Sequence, residues 1–231
     1  MGFLWDSLVS ALYLALSLNK ELYEIVLVSL KVSSSSTIIA SIFGVPLGML
    51  IAFETFRGKR LLITILNTML ALPTVAIGLF VYALISRRGL FGPLDLLYSQ
   101  NAIVLGQVIL ITPVVATFTI AAVNHIDTRY RKTALTLGAN RMQATLVVFR
   151  EARYGIVAAI VAAFGRVISE VGISMMLGGN AKGFTRTITT AMALEYDKGE
   201  FVLAVALGVI LLAISFGLNL LFHVLQGRGV K

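Results

Sequence analysis

Five stretches of this chain stay apolar over more than twenty residues with few charges between their ends. About 20 helical residues cross the ~30 Å hydrocarbon core of a bilayer, so each stretch predicts a transmembrane helix. They are Val32 to Phe53, with its helix beginning near Leu22, then Leu61 to Ile85, Ala102 to Val123, Gly155 to Leu177 and Phe201 to Leu225. Lys31 falls at the outer end of the first, where its long stem lets the ammonium reach the interface. The segment before them reads differently. Ser7 to Leu18 is a run of 12 residues interrupted by Ser10 and Ser17, and Asp6, Ser10, Tyr13 and Ser17 recur at helical spacing opposite Leu4, Leu8, Leu12 and Leu16. That amphipathic pattern predicts a helix lying in the interface, with a sixth span as the alternative. A signal peptide fits less well, because no basic residue precedes the apolar run and no A-x-A-like cleavage site follows it. The expected fold is therefore all-α: an interfacial helix over residues 1–20 and a polytopic five-span bundle over 21–231.

The spans carry helix-disturbing residues. Pro46 lies inside Gly44-Val45-Pro46-Leu47-Gly48, while Pro73 and Pro113 interrupt the second and third spans. Each proline removes a helical hydrogen bond and is expected to kink its helix unless neighbours satisfy the freed carbonyl. Glycines at i and i+4 let helices approach closely. Packing explains any one of these residues; three kinked spans together point to a movable bundle.

Composition agrees with the pattern. The 231 residues are 58% hydrophobic and 13% charged, against about 25% charged in soluble domains, and the mean hydropathy is +0.93. With no cysteine there is no disulfide framework, thiolate metal site or cysteine nucleophile. His125 and His223 fall at span edges and read as interfacial residues, and Trp5 as an interface anchor. A net charge of +8 would suggest nucleic acid in a soluble protein; in a membrane chain it reports orientation. One set of loops holds Arg57, Lys59, Arg60, Arg129, Arg131, Lys132, Arg141, Arg150, Arg153, Arg228 and Lys231. The other holds only Lys20, Arg87, Arg88, Lys182, Arg186 and Lys198. The positive-inside rule places the first set in the cytoplasm, with the N-terminus outside and the C-terminus inside.

The loop between the third and fourth spans, 124–154, is longer than a helical hairpin needs, and long loops are commonly functional. Asp127 is placed to cap a short helix over Thr128 to Leu137, with Tyr130, Ala134 and Leu137 on one face and Gly138 supplying the C′ position. A second helix starts near Arg141 and leads through Arg150, Glu151 and Arg153 into the fourth span. Two readings stand: a docking element for a cytoplasmic partner, or an interfacial helix held on anionic lipid by Arg129, Arg131 and Lys132.

At these residues the sequence resembles the permease subunits of ABC importers, whose shared cytoplasmic signature runs E-A-A, three residues, Gly, nine residues, I-x-L-P. Here Lys132-Thr133-Ala134, Leu135-Thr136-Leu137 and Gly138 stand in the first part, and Val148-Phe149-Arg150-Glu151 in the last. Lys132 replaces the Glu, Thr133 the first Ala and Glu151 the closing Pro. Ala163-Phe164-Gly165-Arg166-Val167-Ile168-Ser169-Glu170-Val171-Gly172, with Met176-Leu177-Gly178-Gly179-Asn180 and Thr185-Arg186-Thr187, looks like the oxyanion branch that handles molybdate, sulfate and tungstate. The lost Glu and Pro, the short N-terminal segment and the tail from Thr189 to Phe201 look most like tungstate permeases. The resemblance implies a homodimer of five-span subunits around a central path. Two cytoplasmic ATPase subunits would carry the ATP and Mg, and an extracytoplasmic binding protein would deliver the anion. It implies an ATPase-coupling element at Lys132, Thr133, Ala134, Leu137, Gly138, Ala139, Asn140 and Arg141. The chain has no G-x-x-x-x-G-K-[ST], so the resemblance implies a transport subunit with no cofactor or catalytic residue of its own, in the plasma membrane of a prokaryote.

Arg166 and Glu170 stand four apart within the fourth span, where an ionised side chain is costly and suggests function. Either Arg166 assists a passing dianion, or the two residues pair and brace the helix. Ser169, Ser174 and Met175 are neighbouring path candidates, with Thr74 and Thr112 weaker ones. Outside, Gly179, Asn180, Lys182 and Arg186 form a predicted flexible polar loop whose backbone amides suit contact with a binding protein, with the anion itself as the alternative. The rival reading is a secondary transporter or channel, which kinked helices and a buried Arg–Glu pair would also suit. A membrane enzyme would need clustered acids or histidines at depth, and only Glu170 among the 11 acids is deep.

Overall fold

The computed structural model describes residues 9, 10, 12, 13 and 20–227, so most of the predicted interfacial helix lies outside the described residues. The described elements are helical: α1 (Lys20–Phe53), α2 (Lys59–Leu70), α3 (Thr74–Ile85), α4 (Gln100–Asn124), α5 (Thr128–Thr136), α6 (Arg141–Ile168), α7 (Gly172–Gly178), α8 (Ile188–Asp197) and α9 (Phe201–Gly227). A 3₁₀ turn at Gly92–Leu94 stands before α4. Of these, α1, α4 and α9 are long and apolar enough to cross a bilayer alone. Counting α2 with α3 and α6 with α7 as single bent spans gives the five expected.

The centre of the bundle is the contact between α1 and α4. Ser36 Oγ donates to Gln107 Oε1 at 2.7 Å, Gly44 lies against Val115, and Gly48 against Ala116 and Thr119. Both partners advance in the same direction, so the two helices are parallel. The chain between them must therefore recross the bilayer, and α2–α3 does so as one broken span. α2 lays Leu62, Ile63 and Leu66 on Ile51, Ala116 and Ile120; α3 continues with Ile77, Val81 and Ile85 into the main core.

The three prolines behave differently. Pro73 breaks its span, with α3 turned 100° from α2, because it cannot donate and pushes Leu72 out of the helical region. Pro46 and Pro113 lie inside α1 and α4, which continue as single helices. The expectation that Pro113 interrupts its span is thus corrected, and of the two predicted interruptions only that at Pro73 stands. Close packing on both sides of Pro46, at Gly44 and Gly48, holds α1 together across the missing bond.

The fourth span contains a break without proline. α6 is one helix from Arg141 to Ile168, and α7 then leaves at 59°. Beyond α7 the chain forms a further helix, α8, which the hydrophobic pattern does not announce. Thr187 caps it in a reciprocal box with Thr190. Its first turn is pinned inside the bundle: the Ile188 amide donates to Ser29 Oγ at 2.7 Å and Thr189 Oγ1 donates to the Glu170 carbonyl at 2.8 Å. Leu22, Ile25, Ile188, Ala191 and Leu207 close this outer region. Large apolar side chains on α1 (Ile38, Ile42, Phe43, Leu50) and α9 (Leu212, Phe216, Leu220, Leu221) remain exposed, as lipid or another subunit requires.

Candidate coupling and translocation sites

The loop between α4 and α6 folds much as its residues foretell. Asp127 caps α5, accepting from the Arg129 amide at 2.8 Å. Leu137 ends the helix and Gly138 takes φ +87°, a left-handed conformation that glycine adopts without steric cost. The Gly138 amide donates to the Leu135 carbonyl at 3.1 Å and the Ala139 amide to the Ala134 carbonyl at 3.0 Å. These are the two bonds of a Schellman termination. Asn140 at once caps α6, its Oδ1 accepting from the Gln143 amide while Gln143 Oε1 accepts from the Asn140 amide, both at 2.8 Å. Two helices are therefore joined by a stiff four-residue turn.

No residue of α5 is buried. Lys132 and Thr133 are exposed and Ala134 half-buried, while Leu137 and, just past Arg141, Met142 are 82% and 78% exposed. Apolar side chains this bare at one turn offer a contact surface to lipid or to a partner protein. Thr133, Ala134 and Leu137 also line a groove with Tyr130 and Val147.

The path candidates separate into two groups. Arg166 sits in the last turn of α6, where the carbonyl ends of the helix favour a cation, and Ser169 Oγ donates back to the Gly165 carbonyl at 2.9 Å. Because the helix stops at Ile168, Glu170 does not stand on its face. Arg166, Ser169 and Met175 are exposed, whereas Ser174 and Glu170 are buried, Glu170 at 8% exposure. Among the described residues Arg166 and Glu170 form no ion pair, so the bracing pair is corrected. Glu170 Oε1 instead accepts from the Ile173 amide at 3.2 Å, capping α7, and Ser174 Oγ is buried without a hydrogen-bond partner.

The break in the fourth span meets the break in the second. A Cβ at Gly172 would stand 3.2 Å from Thr74 Oγ1, at the start of α3, and 3.3 Å from Glu170 Oε1. Thr112 is occupied locally, donating to the Val108 carbonyl at 2.6 Å.

The outer loop is not the free polar segment its composition suggests. Thr185 Oγ1 donates to the Gly178 carbonyl at 2.6 Å and accepts from the Ala181 amide at 2.9 Å. Gly179 and Asn180 both take positive φ, and Asn180 Nδ2 donates to the Thr190 carbonyl at 3.3 Å. Lys182 Nζ lies 2.9 Å and Arg186 Nη1 3.8 Å from Glu21 Oε1. What sequence reasoning missed is the buried seam Ser29, Thr187, Thr189 and Thr190 that holds this loop and α8 down. The available signal was the hydroxyl run Thr185 to Thr190, broken only by Arg186 and Ile188.

Residues 44–229 match the family described as binding-protein-dependent transport system inner membrane component. The tungstate uptake system permease protein TupB of Peptoclostridium acidaminophilum is 35% identical over 226 residues, 98% of this chain and 99% of that one. A probable anion ABC transporter permease protein of Haloferax volcanii is 39% identical over 205 residues, covering 87% and 88%. In fold, the chain is similar to one in an inward-facing structure of the MetNI methionine ABC transporter, with a TM-score of 0.70 at 18% identity, covering 92% of this chain and 95% of that one.

Proposed function

The chain belongs to the family of inner membrane components of binding-protein-dependent transport systems, and from that premise we propose that it imports an oxyanion, tungstate, into the cytoplasm. It is a multi-pass transport subunit rather than an enzyme. Similarity to a tungstate uptake permease along 98% of the chain supports the choice of anion. ATP and Mg would be held by two partner ATPase subunits. An extracytoplasmic binding protein would bring the anion to Gly179, Asn180, Lys182 and Arg186, and the side carrying α5 would be cytoplasmic.

The observation that carries the mechanism is the α5–α6 joint. A helix tied to its successor by a Schellman turn and a capping box moves as a lever, and its bare Leu137 and Met142 offer an ATPase something to grip. Lys132, Thr133 and Arg141 would surround that grip with polar and basic contacts. Displacing α5 drags α6 directly, since only Leu137–Asn140 separates them.

At the other end of α6, exposure of Arg166 supports a homodimer. An arginine facing lipid at mid-span costs about 2.5–3.5 kcal/mol on insertion scales. A second copy beside α6 would remove that cost by enclosing Arg166, Ser169 and Met175 in a polar path, where a fixed cation per subunit attracts a dianion. Glu170 and Ser174 would stand behind this lining and shape the α6–α7 break.

Two measurements test the reading. The companion binding protein should prefer tungstate to molybdate and sulfate; preference for either of the others would overturn the choice of anion. Gly138→Pro removes the donor to Leu135 and forbids the left-handed turn, so ATP-dependent uptake should be abolished while membrane insertion persists. Normal uptake in this variant would contradict the lever.

A further inference from the structure

The coupling helix α5 has two covalent handles, one through 125–127 to α4 and one through the Gly138 turn to α6. It has none on α1, which follows α4 along its length. A contact at the cytoplasmic end supplies one. The Arg131 guanidinium lies over the ring of Phe53, the last residue of α1, at 5.3 Å from its centroid, within cation–π range.

Three features make this contact a built one. Phe53 is itself packed on the cluster of Val123, Val148, Ala152 and Ile156, so the ring is held by the ends of α4 and α6. Arg131 Nε is buried with no hydrogen-bond partner, and the guanidinium faces the Phe53 ring instead. The C-terminus of a helix carries partial negative charge, and the end of α1 already attracts a second cation: Lys59 Nζ donates to the Ala52 and Glu54 carbonyls, both at 3.1 Å.

We infer that Arg131 and Phe53 are positioning residues for transport, a strut through which displacement of α5 reaches α1 as well as α4 and α6. The inference rests on the coupling role proposed for α5. Without the strut the ATPase would still pull α4 and α6, but α1 would lag, and hydrolysis would proceed without a matching yield of transported anion.

The test uses the full complex of this chain, its ATPase subunits and its binding protein in proteoliposomes, reading ATP hydrolysed per tungstate taken up. Phe53→Leu keeps apolar bulk in the cluster and removes the ring face; Phe53→Trp keeps a ring, the best cation–π acceptor. For the loss of one such contact we expect Phe53→Leu to raise ATP consumed per anion about fivefold with hydrolysis within about twofold of the wild type, and Phe53→Trp to restore the ratio. Arg131→Gln, which leaves the cluster untouched, should behave as Phe53→Leu does, and it serves if that variant fails to assemble. A wild-type ratio in Arg131→Gln, or equal failure of the Leu and Trp variants, would overturn the strut. Absence of ATP-dependent uptake in the wild-type complex would instead sink the coupling reading beneath it.

Discussion

Gly48 shows how little room the α1–α4 contact leaves. A Cβ there would stand 2.6 Å from the Ala116 carbonyl oxygen and 2.8 Å from Thr119 Cβ, whereas one at Gly217 of α9 meets nothing within 4 Å. Gly48→Val should therefore cost about 1–3 kcal/mol by forcing two backbones apart, while Gly217→Ala should be close to neutral. Thermal unfolding in detergent compares them. Arg166 and Glu170 make the opposite point, since four residues of spacing suggested a pair that the broken helix does not allow. A double-mutant cycle with Arg166→Gln and Glu170→Gln should be additive within about 0.5 kcal/mol, as for sites without a shared contact. A larger coupling energy would restore the pair.

At the scale of elements, what the sequence announces and what it hides follow from the kind of signal each element leaves. Apolar runs disclosed α1, α4 and α9, and local chemistry disclosed α5 and the start of α6: Asp127, Gly138 and the start near Arg141 all stand where the sequence puts them. Pro73 marked a true break, at which α3 turns 100° from α2. Pro46 looked equivalent and is not, since the glycines flanking it fix α1 against α4, a tertiary effect invisible in one chain's pattern. The break at Ser169–Val171 lies in an apolar run without a proline, and only the carboxylate of Glu170, spent on the Ile173 amide, hints at it. α8 was hidden because its polar hydroxyls face inward, to Ser29 and the Glu170 backbone, so it reads as a loop. Its capping box should be worth about 1 kcal/mol. Thr187→Ala is expected to speed amide hydrogen exchange across 188–197 while leaving α4 protected; unchanged exchange would mean that Ser29 and Glu170 hold α8 unaided.

For the whole molecule, a jointed end and a tied-down end meet in one bundle. At one end α5, bare of buried residues, is fixed to α6 by a glycine turn and to α1 by a cation over a ring. At the other, α7, α8 and the 179–187 loop are tied down by hydroxyl and amide bonds around two adjoining helix breaks. On the proposed reading, such a body would pass motion along α6 from the α5 joint to the neighbourhood of Arg166, as a subunit with a separate energy source and anion receptor would require. The most direct test is uptake of tungstate into proteoliposomes that hold this chain with its ATPase subunits, with binding protein supplied on the receptor side. Accumulation should require both hydrolysable ATP and the binding protein, and excess sulfate should not suppress it. Uptake that proceeds equally without ATP would contradict the account.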